Sequence, residues 1–243
     1  EPQTGELASG LTGQGRMEEP ENILSILKEY FLKSFSLEKK KVLITAGPTY
    51  EKIDPVRFIG NFSTGKMGFE LASEAASRGA QVTLITGPTS LTVSDPLIHR
   101  INVMSASEKY EQCISVFPES DFVIMAAAVA DYTIENPDPL KIKKKGENLT
   151  LTLTPTQDIL KRMGEMKQSG QTLVGFALET DRETENADKK RSSKNLDYII
   201  LNSLNDPGAG FGFETNQITV MNQSGVIFQS GLKSKKELAS EIL

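Results

Sequence analysis

Apolar positions fall into two rhythms along this chain. From Lys41 the run KVLITAG is short, apolar and closed by glycine; MGFELASEAASRGA follows with apolar residues at helical spacing and stops at Gly79; QVTLITG repeats the first run. A short apolar run, an amphipathic stretch and a second short run predict a βαβ unit. The alternation continues, with strands predicted at Arg100–Val103, Asp121–Ala127, Thr172–Leu178 and Asp197–Leu201, and helices at Ala106–Phe117, Gln157–Gln168 and Asp181–Lys194. Two segments break the rhythm. KKKGENLTLTLT alternates Leu with Thr at period two, and QITVMNQSGVIFQS reads as a hairpin across Gln223, Ser224 and Gly225. The expected fold class is α/β, a Rossmann-like, mostly parallel twisted sheet flanked by helices, with extra antiparallel strands outside the βαβ pattern.

Ahead of this pattern, Glu1 to Pro20 is rich in Gly, Glu and Thr with little apolar content, which alone predicts a loop or disorder. The run ENILSILKEYFLKS then sets Ile23, Leu24, Ile26, Leu27, Phe31 and Leu32 on one helical face, a connecting helix. ITAGPT and ITGPTS echo each other at the ends of two successive strands. In open α/β sheets ligands bind at such carboxyl ends.

Composition narrows the function classes. With 243 residues the chain can bury a sizeable core in one main domain with an appendage. A formal net charge of -5 argues against a nucleic acid as the main partner, while leaving room for local basic clusters that bind a small phosphate ligand. One cysteine excludes an intrachain disulfide, and one histidine beside it is too little for a Cys/His zinc site. No stretch has the apolar length of a membrane span, and EPQTGELASG lacks the regions of a signal peptide. A cytoplasmic protein without membrane contact is expected.

The segment GNFSTGKMG, Gly60 to Gly68, carries the main chemistry. Gly60 to Lys66 reads G-x-x-x-x-G-K, a P-loop up to the last position, where Met67 replaces the magnesium-binding Ser or Thr. A P-loop also follows its strand directly, whereas Pro48 to Gly60 intervenes here. What survives is a loop of Asn61, Ser63, Thr64 and Gly65 leading into a helix whose free N–H groups and dipole favour an anion. The competing reading makes Ser63 or Thr64 the N-cap of a helix over Lys66–Arg78 and nothing more. Arg57 could add a forked phosphate contact or be a surface charge. The dinucleotide fingerprint G-x-G-x-x-G is absent after the first strand, against a nicotinamide enzyme.

Further candidates each have a plain alternative. MAAAVADY ends a strand in small residues, which let a flat ligand approach, and then presents Asp131 to ribose hydroxyls; the alternative is tight packing with Asp131 as a cap. LKIKKK, Leu140 to Lys145, clusters ammonium groups that could neutralise a triphosphate, or is a solvated loop. Pro137 and Pro139 before it suggest a flap. Lys190 and Lys194 share a helix face, and Phe176 near a strand end could stack on a base or fill the core. His99 has no evident catalytic partner, and Cys113 reads as helix core.

Taken together, ITAGPTYEKIDPVRFIGNFSTGKMG, AAAVADY, KIKK, QDIL, GFALET and the lysines of KKRSSKN resemble the phosphopantothenate-cysteine ligase family of coenzyme A biosynthesis, over Lys41 to Leu243. The resemblance implies CTP as co-substrate with Mg2+ or Mn2+, and 4'-phosphopantothenate and L-cysteine as substrates. An acyl cytidylate forms with release of pyrophosphate; the cysteine amine then attacks the acyl carbon and CMP leaves. By the same resemblance Asn61 and Lys141 are catalytic, and Arg57, Asn61, Ser63, Thr64 and Gly65 bind the intermediate. Nucleotide contacts fall on Gly47, Met125, Ala126, Ala127, Asp131, Lys141, Gln157, Asp158, Ile159, Leu160, Phe176, Lys190 and Lys194. Relatives often carry proline where Gln157 stands, so only a backbone contact is implied there. No metal ligand is named. A homodimer is expected because the family's ligase domains pair.

GELASGLTGQGRMEEPENI in turn resembles the end of the flavin-dependent decarboxylase often fused ahead of such ligases, with Ser9 where many relatives carry a catalytic cysteine. The implied organisation is a decarboxylase remnant over 1–20, a connecting helix over 21–40 and a ligase domain over 41–243, with FMN belonging to the absent flavin domain. Rival readings are an ATP-using ligase, a dinucleotide-dependent oxidoreductase and a nucleotide-binding module without catalysis.

Overall fold

The computed structural model describes residues 3–6, 11–144, 146, 148–203 and 205–243; Ser9 lies outside them. Strands β1 (Gln3–Glu6) and β2 (Thr12–Arg16) pair antiparallel, in place of the loop or disorder predicted from the composition of Glu1 to Pro20, and α1 (Pro20–Ser34) is the helix expected from ENILSILKEYFLKS. Of its apolar stripe, Leu24, Ile26, Leu27 and Phe31 are exposed in this chain.

The βαβ rhythm then builds the body of the fold. β3 (Lys41–Ala46) leads into a small hairpin of β4 (Tyr50–Lys52) and β5 (Phe58–Gly60), then α2 (Lys66–Ser77), β6 (Gln81–Thr86) and β7 (Ile98–Asn102). α3 (Ala106–Val116) returns the chain to β8 (Phe122–Met125) on the other side of β3, and β9 (Tyr132–Ile134) and β10 (Leu153–Pro155) pair with each other. α4 (Ile159–Met166), β11 (Thr172–Glu179), α5 (Glu183–Ser193) and β12 (Tyr198–Ser203) complete the alternation. The C-terminal part holds β13 (Thr215–Asn216), β14 (Thr219–Asn222), β15 (Gly225–Gln229), β16 (Lys233–Ser234) and α6 (Lys235–Ile242).

The main sheet runs β7-β6-β3-β8-β11-β12-β14-β15. The first six are parallel, and β14 and β15 extend the edge antiparallel. The α/β, mostly parallel sheet with extra antiparallel strands is thus the fold expected from the pattern. Strand order reverses between β3 and β8, and in such sheets the crevice at the reversal is where ligands bind.

Period-two alternation places successive residues of each strand on opposite faces. Val42 and Ile44 pack with Val82, Leu84 and the α2 and α6 residues Leu71, Ala75, Leu238 and Ala239 on one face. Leu43 joins Ile85, Val123, Leu173, Ile199 and the helix residues Cys113, Met163 and Ala187 on the other. Helix α2 lies unusually close to β3: a Cβ on Gly68 would sit 2.6 Å from the Ala46 Cβ and 2.9 Å from the Thr45 carbonyl oxygen.

Three local expectations are corrected. The Leu/Thr alternation yields strand only at Leu153–Pro155, in a two-stranded pair with β9, because no apolar layer receives Leu149 and Leu153, both exposed. The helix expected from Gln157 begins at Ile159, because Asp158 is extended and its carboxylate accepts the Lys161 N–H at 2.9 Å. The β4–β5 hairpin was absent from the sequence reading. Its signature is masked by Glu51, which is buried to accept the Ala106 N–H at the start of α3 at 2.8 Å.

Gly68→Ala is expected to destabilise the fold by roughly 1–3 kcal/mol through overpacking. Urea unfolding would show a lower midpoint at constant slope; an unchanged midpoint would mean that α2 retreats from β3 without cost.

Lys109, on α3, is fully buried and donates from Nζ to the Ala46 carbonyl at 2.8 Å. It has no ion pair among the described residues, and burial lowers its ammonium from 10.5 to about 8. Beside it, burial pushes the Cys113 thiol up to about 12. Between about pH 8 and 10.5 the unfolded chain holds the Lys109 proton more firmly than the folded chain, so this group makes stability rise with pH there; the burial cost is felt in full below about pH 8. Chemical denaturation of Lys109→Met across that window should show the rise flattened.

Candidate active site

The β3–β8 crevice opens into a cavity of about 330 Å3. Its floor is stitched by backbone contacts between the two strand ends. The Thr45 hydroxyl accepts the Ala127 N–H at 3.2 Å, the Gly47 carbonyl accepts the Ala128 N–H at 3.0 Å, and the Ala128 carbonyl accepts the Thr49 N–H at 3.3 Å. Met125 is buried beneath, its sulfur 3.7 Å from the same Thr45 hydroxyl.

The GNFSTGKMG loop forms one wall. Asn61 lines the cavity and donates from Nδ2 to the Ala128 carbonyl at 3.0 Å, tying the loop to β8's exit. Gly65 has φ +85° and lies over Gly47, itself at φ +70°; a Cβ on Gly65 would be 3.1 Å from the Gly47 nitrogen. The N-cap of α2 is this glycine, with no side-chain cap. Ser63 and Thr64 accept the Gly65 and Lys66 N–H groups at 3.3 and 3.4 Å, so neither is the helix cap of the plain reading. Lys66 is bound to Glu70 at 3.2 Å and Glu214 at 3.3 Å, and both carboxylates hold its ammonium above the usual range.

Ala126, Ala127, Asp131, Phe176 and Lys190 form the opposite wall. Asp131 precedes β9 and caps no helix; its carbonyl accepts the Thr156 N–H at 2.9 Å. Lys190 donates to the Phe176 carbonyl at 3.0 Å, and burial, then repulsion from Lys194, lowers its ammonium. Lys194 is outside the lining and pairs with Asp158 at 2.8 Å. Burial raises the Asp158 carboxyl, but the bonds from Lys194 and the Lys161 N–H prevail and keep it below its ordinary range. Ile159 and Leu160 are buried core residues, and Gln157 precedes the helix outside the lining.

Nine of the predicted site residues therefore share one cavity: Asn61, Ser63, Thr64, Gly65, Ala126, Ala127, Asp131, Phe176 and Lys190. Arg57 and Lys141 do not. They line a separate open groove with Val56, Leu140 and Ile142. Arg57 and Asn61 flank β5 at opposite ends, roughly 13 Å apart at the rise of an extended chain.

The sequence reading missed Asn202, Gly210, Phe211, Asn216 and Lys235, which close the cavity's far side. Lys235 is buried and donates to the carbonyls of Gly210 at 3.1 Å and Phe213 at 2.6 Å, holding their loop in place. The glycines of GAGFG hinted at a special backbone, but no periodicity links them to β3. Among the described residues no cluster of His, Cys, Asp or Glu could hold a metal ion, and Asp131 is the one carboxylate lining the cavity. No described helix is long and apolar enough to cross a membrane.

Comparison with known proteins agrees with this architecture. Residues 37–243 match the family model described as DNA/pantothenate metabolism flavoprotein C-terminal domain. The chain is 51% identical over 247 residues to a protein of an unknown prokaryotic organism named cysteine/cysteine sulfinic acid decarboxylase, covering 100% of this chain and 69% of that protein. It is 47% identical over 245 residues to the coenzyme A biosynthesis bifunctional protein CoaBC of Bacillus subtilis (strain 168), covering 100% of this chain and 60% of that protein. The crystal structure of the C-terminal domain of a CoaBC protein superposes with a TM-score of 0.72 at 41% identity, covering 86% of this chain and 94% of that one. A Cab2 mutant in complex with phosphopantothenate-cysteine shares the fold alone, with a TM-score of 0.68 at 18% identity over 91% of each chain. The chain belongs to the DNA/pantothenate metabolism flavoprotein C-terminal domain family, the phosphopantothenoylcysteine synthetase part of CoaBC-type proteins.

Proposed function

We propose that this chain joins 4'-phosphopantothenate to L-cysteine at the expense of CTP. The observation that carries the reading is the single cavity: residues matched to the intermediate (Asn61, Ser63, Thr64, Gly65) face residues matched to the nucleotide (Ala126, Ala127, Asp131, Phe176, Lys190) across the sheet's reversal point. The printed names of the CoaBC relatives point the same way. The chain spans 60% of the Bacillus subtilis relative, which is named a bifunctional protein, and the ligation is the part proposed for this chain.

In the first half-reaction the substrate carboxylate oxygen attacks the α-phosphorus of CTP, and the bond to pyrophosphate breaks. In the second, the cysteine amine attacks the acyl carbon, an amide forms, a proton is lost from nitrogen and CMP departs. The cavity can supply binding and charge stabilisation for both. Free N–H groups in the first turn of α2, beyond the Lys66 N–H that Thr64 accepts, face developing negative charge, Asn61 orients the acyl phosphate, and the small side chains of Ala126 and Ala127 admit a flat group beside Phe176. Lys141 offsets charge in the first step, which requires its long side chain to extend from the anchored strap toward the cavity. Mg2+ fits a lining with one carboxylate, Asp131, because this ion is commonly carried on substrate phosphates with few protein ligands. The ion would screen the triphosphate. A homodimer remains part of the proposal.

Pyrophosphate release measured with phosphopantothenate plus CTP or ATP, with and without cysteine, tests the reading. Release with CTP is expected; none under any condition would sink it, and release with ATP alone would favour the ATP-using alternative. Lys141→Gln should cut release on the order of 100-fold or more, whereas Asn61→Asp should impair amide formation from the intermediate by a similar factor. Near-normal turnover in Lys141→Gln would remove its assigned role.

A further inference from the structure

One buried carboxylate outside the cavity gathers an unusual set of donors. Asp54 is buried at the tip of the β4–β5 hairpin. Its Oδ1 accepts the backbone N–H groups of Val56 and Arg57 at 2.8 and 2.9 Å. Its Oδ2 accepts Arg57 Nε at 3.0 Å, Arg57 Nη2, and the Ile142 backbone N–H at 3.1 Å. Arg57 Nη2 also donates to the Ile142 carbonyl at 3.1 Å, and the Asp138 N–H reaches the Ile53 carbonyl at 3.0 Å. The hairpin and the strap from Asp138 to Lys144 are therefore joined through one side chain, and Lys141 is the residue next to the joint.

We propose that Asp54 is a positioning residue for the first half-reaction: its carboxylate clamps Arg57 and the strap backbone at Ile142 together, and so fixes where Lys141 is presented. The inference rests on the role assigned to Lys141 under the proposed function. The chemistry of the donor set supports it. Five N–H groups converge on two oxygens, which satisfies a buried carboxylate only while it is ionised. The Arg57 guanidinium accordingly holds the Asp54 carboxyl well below the usual carboxylate range, with the backbone donors adding to it. An amide at this position would place an NH2 group against donors from Arg57 or from the strap. Arg57 also meets the groove as a neutralised partner of Asp54, so its surplus positive charge is smaller than its residue type suggests.

The test uses the full chain and two readouts. In native-state trypsin digestion followed by mass spectrometry, Asp54→Asn should speed cleavage after Lys141, Lys143 and Lys144 by about tenfold or more, with sites outside the hairpin and strap unchanged, because the strap opens locally. Ile142→Pro removes the strap's donor while leaving the hairpin turn and the Asp54–Arg57 pair, and should show the faster cleavages after Lys143 and Lys144, the site after Lys141 being blocked by the proline; it carries the test if Asp54→Asn fails to fold. In pyrophosphate release, Asp54→Asn should lower kcat by about tenfold or more with the KM for CTP moving less than about twofold. Adding Lys141→Gln to Asp54→Asn should cost little beyond Lys141→Gln alone, because both changes remove one contribution. Unchanged cleavage of the strap, or losses that multiply in the double variant, would overturn the proposal. If the unaltered chain releases no pyrophosphate, the ligase reading fails, while the cleavage result still decides whether Asp54 holds the strap.

Discussion

The structure depends on how closely the chain can pass over the end of β3. Gly65, in the left-handed region, rests closely on Gly47, and Gly68 brings α2 against Ala46 and Thr45, a contact that leaves no room for a side chain. This approach sets the start of α2 over the sheet's reversal point, where its N–H groups can meet a ligand lying across β3 and β8. The bonds from Thr45, Gly47 and Thr49 to Ala127, Ala128 and Ala130 then lock the two strand exits together. The small residues after both strands thus serve one geometric purpose, to let backbone meet backbone. The cavity is the space left above that seam.

Electrostatics around the seam follow a consistent design. Lys109 holds the Ala46 carbonyl from below, Lys190 the Phe176 carbonyl at the side, and Lys235 the carbonyls of Gly210 and Phe213 at the far rim. Each ammonium is bonded to backbone oxygen and forms no ion pair among the described residues, so its charge is oriented without being cancelled. Burial pulls all three toward the neutral form. An anion bound nearby would reverse that tendency and recover part of the cost of burying them. A chain of net charge -5 can therefore present a local positive field at one crevice.

What the sequence made legible was the regular part. The period-two and helical rhythms located the parallel strands, α2, α3 and the β14–β15 hairpin, because each buries a face against a neighbour and the pattern records that burial. The irregular parts left weaker traces. Glu51 interrupts the β4–β5 pattern because its burial serves the start of α3, a contact 55 residues away in the chain. The far wall of the cavity, with Asn202, Asn216 and Lys235, is assembled by tertiary contacts between the end of β12, a glycine-rich loop and the first residue of α6. The Leu/Thr alternation of Leu149 to Leu153 misled because alternation reports a pleat only where one face is covered. The family resemblance supplied candidate residues that periodicity could not, yet it could not separate those in the cavity from Arg57 and Lys141 in the groove.

The near match of Gly60 to Lys66 to a P-loop has a physical resolution. In a P-loop the lysine must be free to reach phosphate, and the next hydroxyl must hold magnesium. Here Lys66 is bound by Glu70 and Glu214, and Met67 packs against the apolar layer beneath α2. Lys66 thus reaches the cavity lining with its charge held by two carboxylates, and Met67, partly buried beside it, offers no hydroxyl to a metal. What the segment keeps is the backbone: Gly65 in the left-handed region, a helix start with no side-chain cap at that glycine, and Asn61 tied to the exit of β8. Under the proposed function, anion recognition at this loop would fall to main-chain donors and an amide, groups whose protonation does not change near neutral pH. Under the proposed function such a loop would suit an acyl phosphate held through two successive displacements, since the same donors could face the phosphate oxygens before and after pyrophosphate had gone.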